Sequence, residues 1–304
     1  MNTRCGFIAT LGRPNAGKSS LLNALAKQNL ALTSHKANAT RKQLQVIIPH
    51  ASEDSRGEYK AQMIFIDTPG IHRQEKLLNQ YMLKQSLKAM NDCTMGIYLA
   101  PINDDVKYYE EFLDLCANTK ISQRHIVVLS KIDLASNEQI LAKIAQYALY
   151  QKQYLALIPL SIKREKTLQE LLDVLGEHLE EGVFLYDDES ATNASIRDIA
   201  KELIRESVFE NLSDEVPYQS DVLLERYKEG KIHRIYATIV VSKQSQKALV
   251  IGTNAQTIKR ISINARQKLE QLLEQKVFLK LEVQLRKGWD KQAEELKKFG
   301  YIMD

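Results

Sequence analysis

Nine residues near the start of the chain restrict its fold more than any other stretch: Gly12-Arg-Pro-Asn-Ala-Gly-Lys-Ser-Ser20. They match G-x-x-x-x-G-K-[ST], a loop that cradles phosphates where a buried strand meets the start of a helix. Both flanks comply. Residues 5–11 form a short apolar run suited to a parallel sheet. Residues 20–27 are good helix formers with one apolar face. Gly12 and Gly17 let the backbone turn and bring N–H groups toward phosphate oxygens. Arg13, Pro14, Asn15, Ala16 and Ser20 complete the loop. Lys18 is expected to reach the β- and γ-phosphates, and Ser19 to offer its hydroxyl to Mg²⁺.

The next segments fit around that loop. Residues 30–41 are polar without a period, and Thr40 is the expected second hydroxyl ligand of Mg²⁺. Residues 43–49 and 59–67 read as two strands of an edge hairpin, with 50–58 as a polar turn. The second strand ends in Asp67-Thr-Pro-Gly70. An acid there can hold Mg²⁺ through water, and Gly70 can donate its N–H to a γ-phosphate. Thr68, Pro69 and Ile71 flank these groups, and Ile71 has no polar atom with which to orient a water. Lys18, Thr40 and Gly70 are the expected catalytic residues.

Strands at 94–100, 125–130 and 154–160 alternate with helices at 77–90, 106–116, 138–150 and 167–179. That alternation predicts an α/β domain: a mostly parallel sheet with helices on both faces. Ser130-Lys-Ile-Asp133 follows a late strand, where such sheets read a base. The Asp133 carboxylate can accept from N1–H and the 2-amino group of guanine, a donor pair that adenine lacks. Lys131 can lay its stem over the purine, Ile132 lies between the two, and Ser161-Ile162-Lys163 can close the far side.

The chain has 304 residues, which points to two domains: 1–180, then 191–304 after a linker at 181–190. No apolar run approaches the roughly 18 residues of a membrane span. The first strand begins at once, which leaves no room for a signal peptide. Cys5, Cys93 and Cys116 show no metal spacing and read as reduced thiols of a cytoplasmic protein. Charge is segregated. Residues 181–229 hold 5 basic and 13 acidic side chains, whereas residues 230–269 hold 8 basic and none acidic. Such a reversal suggests a face built for a polyanion.

The second half reads as a helix (191–211), strands (220–227 and 234–241), helices (244–250 and 255–273) around Gly252-Thr-Asn-Ala255, a strand (277–285) and a closing helix (289–299). This is an α+β unit.

The ordered motifs resemble the translation-factor-related GTPases. The second half resembles the Era family of ribosome-assembly GTPases, through Tyr236-Ala-Thr-Ile-Val-Val-Ser-Lys-Gln-Ser-Gln-Lys-Ala-Leu-Val-Ile-Gly-Thr-Asn-Ala-Gln-Thr-Ile-Lys-Arg260. Glu215-Val-Pro-Tyr218, Ala265-Arg266, Lys276-Val277 and the ending from Trp289 to Phe299-Gly300-Tyr301 extend the likeness over nearly the whole chain. The resemblance implies an α/β P-loop GTPase domain followed by an α+β type II KH domain. It also implies GTP and GDP as ligands, binding of 16S ribosomal RNA near its 3′ end, and a role in 30S subunit assembly. No DNA is expected. A share of the molecules is expected at the inner face of the cell membrane. Lys247, Gly252, Thr253, Asn254, Ala255, Lys259 and Arg260 are the expected RNA contacts. Asn15 resembles an asparagine that helps hold K⁺ in related families, and slow turnover is expected.

The chain departs from the family in four places. Ala255 replaces the second glycine of the KH turn, and Ser130 replaces the asparagine of N-K-x-D. Ala39 stands where a second threonine is frequent, and Ala16 where valine is. Two other readings compete. A metabolic P-loop kinase would need an arginine-rich lid and no Ser-Lys-Ile-Asp. A nucleotide-regulated scaffold would use the KH fold for protein contact.

Overall fold

A computed structural model describes residues 2–28, 30, 44–70, 77–119, 124–187, 190–213 and 215–301. Thr40 and Ile71 lie outside the described residues. Contacts divide the chain into two units, and from Ala194 onward every described residue belongs to the second.

The first unit is built on a six-stranded sheet. Its elements in chain order are β1 (Asn2–Gly12), α1 (Lys18–Ala26), β2 (Leu44–Asp54), β3 (Gly57–Asp67), α2 (Leu77–Asp92), β4 (Met95–Pro101), α3 (Lys107–Thr119), β5 (His125–Ser130), α4 (Asn137–Ala148), β6 (Leu157–Leu160) and α5 (Glu165–His178). The strand order is β2-β3-β1-β4-β5-β6, and β2 alone runs antiparallel to its neighbour. β4 and β5 are buried along their whole length, because helices cover both faces. Register places the site. Thr10 pairs with Asp67, so the phosphate loop begins two residues beyond that acid. Pro101 pairs with Ser130, and Ser130 with Leu160, so the loops that follow leave one edge of the sheet together.

The edge hairpin is longer than the sequence suggests. β2 runs to Asp54 and β3 starts at Gly57, so the expected turn over 50–58 is strand except at Ser55-Arg56. The polar residues from His50 onward alternate in exposure, as on a half-solvated ribbon. Arg4, buried at the far end of β1, fixes this extension through a bidentate bond to Asp54 (2.7 and 3.0 Å).

The acidic stretch after α5 is fastened to the hairpin. Buried Gln62 accepts the N–H groups of Leu185 (2.8 Å) and Tyr186 (3.0 Å) at one oxygen and donates to the Tyr186 carbonyl (2.7 Å). Further along, Ile47 N–H donates to the Ala191 carbonyl (2.9 Å), and the Thr192 hydroxyl to the Gln45 carbonyl (2.6 Å). These bonds cover the otherwise open edge of β2.

The second unit holds α6 (Ile196–Asn211), β7 (Ser220–Lys228), β8 (Ile232–Val241), α7 (Gln244–Ile251), α8 (Gln256–Leu273), β9 (Lys276–Leu285) and α9 (Ala293–Lys298). Its sheet order is β7-β8-β9, antiparallel then parallel. α6 starts later than the expected 191. Ala191 and Thr192 are engaged with β2, and Ser195 caps the helix by accepting from the Asp198 N–H (3.2 Å). The expected closing helix over 289–299 is broken. Gln292 is extended (φ −112°, ψ 121°) and separates a 3₁₀ turn at Trp289–Lys291 from α9. Trp289 is fully buried and donates its ring N–H to the Gln219 carbonyl (3.2 Å). Burying a large apolar ring contributes about 1.5–3 kcal/mol, and the paired N–H avoids an offsetting loss.

Candidate active site and nucleic-acid interface

The loop between β1 and α1 is held open by backbone conformations few side chains tolerate. Gly12 has φ 137° and Gly17 φ 99°. A Cβ on Gly12 would lie 2.7 Å from the Leu99 carbonyl oxygen. Asn15 takes a left-handed φ of 64°, which asparagine accepts more readily than most residues. Gly70 sits so close that an added Cβ would fall 2.6 Å from the Pro14 nitrogen. The Asp67–Gly70 turn and the phosphate loop are therefore in direct backbone contact. Thr68 sets that turn by donating to the Thr10 carbonyl (2.5 Å), and Ser86 by donating to the Pro69 carbonyl (2.9 Å).

Lys18 is buried, and its ammonium donates to the carbonyls of Gly12 (3.1 Å) and Arg13 (3.0 Å). Burial pushes it down to about 8, against the opposing pull of Asp67. The ammonium thus already spans the loop that phosphate would fill. The Ser19 hydroxyl donates to the buried Asp67 carboxylate (2.8 Å). Two hard oxygen donors at that spacing fit Mg²⁺.

The base-reading segment reaches the same loop from the other side. The Lys131 ammonium donates to the Asn15 carbonyl (2.8 Å), and the Ser130 hydroxyl to the Ala16 carbonyl (3.2 Å). Serine thus makes one bond to the phosphate loop with its single donor. Lys131 is left-handed (φ 60°) and opens the 3₁₀ turn Ile132–Leu134, in which Ile132 is buried and Asp133 half-buried. Asp133 accepts from the Lys163 ammonium (2.6 Å) and the Ser161 hydroxyl (2.8 Å). Those two contacts, Lys163 first, hold its carboxyl below the usual range, so it stays an acceptor. Thr167 fixes the Ser161 turn by donating to the Ser161 carbonyl (2.8 Å). Ile162 is exposed.

One contact of the loop has no sequence motif. The Arg13 guanidinium lies over the Tyr108 ring (3.5 Å to the centroid) and pairs with Asp104 (3.1 Å). The polar run 103–105 after β4 is the only hint of it in the sequence. Arg13 is thereby held by α3 rather than left to swing over a ligand.

In the second unit, the turn between α7 and α8 is formed by Gly252 (φ 74°, ψ 170°), Thr253, Asn254 and Ala255. Asn254 (φ 49°) and Ala255 (φ 59°) are both left-handed. Ala255 thus adopts the conformation that its Cβ disfavours. Thr253, Asn254, Ala255, Lys259 and Arg260 are exposed, while Lys247 and Gly252 are half-buried. Lys259 and Arg260 lie in the first turns of α8, where the helix dipole adds to their charge.

Comparison with known proteins agrees with this division. Residues 7–131 match the family model described as a 50S ribosome-binding GTPase, and residues 203–290 match that of the KH domain. The chain is 49% identical to GTPase Era of Helicobacter pylori over 303 residues, covering 99% of this chain and 98% of that relative. It is 43% identical to GTPase Era of Campylobacter lari over 299 residues, 98% and 99% of the two chains. A crystal structure of an Aquifex aeolicus Era variant bound to GDP·AlF₄⁻ superposes with a TM-score of 0.89 at 27% identity, covering 99% of this chain and all of that one. An Era structure with MgGDPNP and nucleotides 1506–1542 of 16S ribosomal RNA gives the same score, identity and coverage. Among the described residues, no helix is long and apolar enough to cross a membrane.

Proposed function

The chain is a GTPase of the Era family, and from that premise we propose that it is a GTP/GDP switch that binds small-subunit ribosomal RNA near its 3′ end and assists 30S assembly. One observation carries the nucleotide half. Gly12–Ser20, Asp67–Gly70, Ser130–Asp133 and Ser161–Lys163 converge through direct bonds: Ser19 to Asp67, Ser130 to Ala16, Lys131 to Asn15 and Ser161 to Asp133. Asp133 reads guanine as an ionised acceptor, and Lys131 covers the ring. Lys18 exchanges its two carbonyl partners for phosphate oxygens. Ser19 and Thr40 would hold Mg²⁺ directly, and Asp67 through water. When bound, the ion draws off charge that builds on the leaving phosphates. The Gly70 N–H holds the γ-phosphate in line. Asn15 would help hold K⁺ beside the same phosphates. Turnover is slow, since Ile71 cannot orient a water.

The RNA half is supported by the basic block over 230–269, the KH match, and the RNA carried by the Era structure just described. Three unpaired thiols suit a cytoplasmic site of action, with peripheral membrane contact for a share of the molecules. The test combines two assays. Phosphate release from GTP and from ATP, in K⁺ and in Na⁺ at equal ionic strength, should show GTP alone cleaved, and faster in K⁺. Capture of RNA in the GTP state should return the 3′ end of 16S RNA. Release from ATP at a comparable rate, or capture of no ribosomal RNA, would defeat the corresponding half.

A further inference from the structure

The sheet of the second unit has two faces of opposite character. Along β8, His233, Ile235, Ala237, Ile239 and Val241 are buried against the helices. The intervening residues begin exposed, at Ile232 and Arg234, and become buried only from Thr238 onward. β9 alternates likewise, with Lys276, Phe278, Lys280 and Glu282 on the outer side. Register then gives the outer rows. Arg226 pairs with Tyr236 and Tyr236 with Lys280, while Lys228 pairs with Arg234 and Arg234 with Phe278. Each row crosses three strands and joins one aromatic ring to two cations.

The rings are neighbours, with centroids 6.0 Å apart and planes at 56°. Phe278 is 49% exposed, which is unusual for so large an apolar side chain with no burial to gain. Among the described residues, Arg226, Lys228, Arg234 and Lys276 make no ion pair, whereas Lys280 is bound to Glu282 (2.8 Å). The two acids of this face sit at its closed end. One is Glu282. The other is Glu225, at a bulge of β7, which accepts from the Thr238 hydroxyl (2.5 Å). The rest of the face therefore carries four cations without an ion pair, around exposed Phe278 and half-buried Tyr236.

We propose that this outer face is a second RNA surface, which stacks unpaired bases on Phe278 and Tyr236 and holds the backbone with Arg226, Lys228, Arg234 and Lys276. Exposed rings interleaved with free cations are the requirement for binding a single strand without base-specific hydrogen bonds. An apolar protein partner would leave those cations buried and unpaired, and a duplex offers no free base to the rings. The surface is separate from the turn at Gly252–Ala255, because α7 and α8 pack on the opposite side of the sheet. A long strand can engage both by passing the sheet edge. The proposal rests on the reading of this unit as RNA-binding.

The experiment uses the full chain and anisotropy of a labelled single strand of about sixteen nucleotides, with a duplex of equal length as reference. Phe278→Ala and Phe278→Leu should each weaken single-strand binding about fivefold or more, and duplex binding less than twofold. Leu keeps the bulk and loses the ring, so it separates stacking from folding. Arg226→Ala with Arg234→Ala should reduce the salt slope by about 1.4, at 0.7 per contact. A photoreactive uracil in the strand should crosslink to Tyr236 or Phe278. If the wild type binds RNA while all these variants match it, and crosslinks fall only within 247–260, the outer face is not an RNA surface and the turn is. If the wild type binds no RNA, the reading of the whole unit falls, and this proposal with it.

Discussion

Two turns in this chain lead into a helix and present backbone to phosphate, and they tolerate the necessary backbone strain in different ways. At Gly12–Lys18 the strained positions are mostly glycine, the lysine is buried, and the neighbours approach to backbone contact at Leu99 and Pro14. At Gly252–Ala255 two of the three left-handed positions carry side chains, and the basic residues stand outside in solvent. The first turn is shaped before its ligand arrives, and its lysine already makes substitute bonds. In the second, Lys259 and Arg260 have no such partners among the described residues, and the turn relies on charge and helix dipole. A buried, filled loop can discriminate between ligands. An exposed turn ringed by cations gives affinity that fades with salt.

The sharpest way to test discrimination in the first site is Asp133→Asn. The carboxylate is an acceptor held ionised by Lys163 and Ser161. Its amide replacement presents a donor to N1–H and the 2-amino group. GTP affinity should fall about 10³-fold or more while xanthosine triphosphate gains, as sites built on paired hydrogen bonds reject mismatched ligands strongly. Competition binding measures both, and an unchanged preference for GTP would place Asp133 outside the base pocket.

Lys18→Ala and Ser19→Ala are expected to act next in size. Each removes a charge-assisted or metal contact to phosphate, about 1.5–3 kcal/mol, or 10- to 100-fold in affinity. Calorimetry with and without Mg²⁺ separates them. Ser19→Ala should also lose the dependence on Mg²⁺, and retention of that dependence would reassign the ligand.

Much of this site was legible in the sequence, and the reason is local. Gly12–Ser20, Asp67–Gly70 and Ser130–Asp133 each fix a turn at the end of a strand, and a parallel sheet brings strand ends together. What was not legible depends on side chains that replace backbone. Gln62 binds Leu185 and Tyr186 as a neighbouring strand would, yet nothing marks a lone glutamine as a strand partner. The Arg13–Tyr108–Asp104 contact joins residues about 90 positions apart with no shared motif. The hairpin reads short because His50, Ser52, Glu53 and Asp54 are polar, and an edge ribbon with a solvated face needs few apolar residues. The closing helix reads long because its composition favours helix throughout, whereas the backbone departs at Gln292.

Proton linkage gives a smaller effect in the first turn. In the free protein, burial holds Lys18 near 8. Phosphate oxygens favour its charged form and raise that value in the complex. Between the two values the complex binds more protons, so affinity is complete below about pH 8 and declines as pH rises through that window. The slope is at most about tenfold per pH unit for one proton. GDP titrations from pH 7 to 10 would measure it, and Lys18→Ala should flatten the slope.

The smallest effect lies within the second turn, where two neighbouring substitutions should move stability in opposite directions. Gly252 has φ 74°, and an added Cβ would clash with the Thr257 hydroxyl and lie 2.8 Å from its Cβ. Gly252→Ala therefore combines a disfavoured backbone with overpacking, and should cost about 1–3 kcal/mol. Ala255 already occupies the left-handed region at φ 59°, which costs a residue with a Cβ roughly 1–2 kcal/mol. Ala255→Gly releases that strain but loosens the unfolded chain by about 0.4–1 kcal/mol. The net should be a gain of about 0.5 kcal/mol. Because the turn keeps its shape, RNA affinity should stay within about twofold of wild type. Urea unfolding of both variants checks the signs. If Ala255→Gly lowers stability, the left-handed strain at this position is relieved by contacts that the turn geometry does not show, and the contrast with the glycine-built phosphate loop weakens. If instead it is stable but binds RNA much more tightly, backbone at position 255 touches phosphate, and the second turn works more like the first than its exposed cations imply.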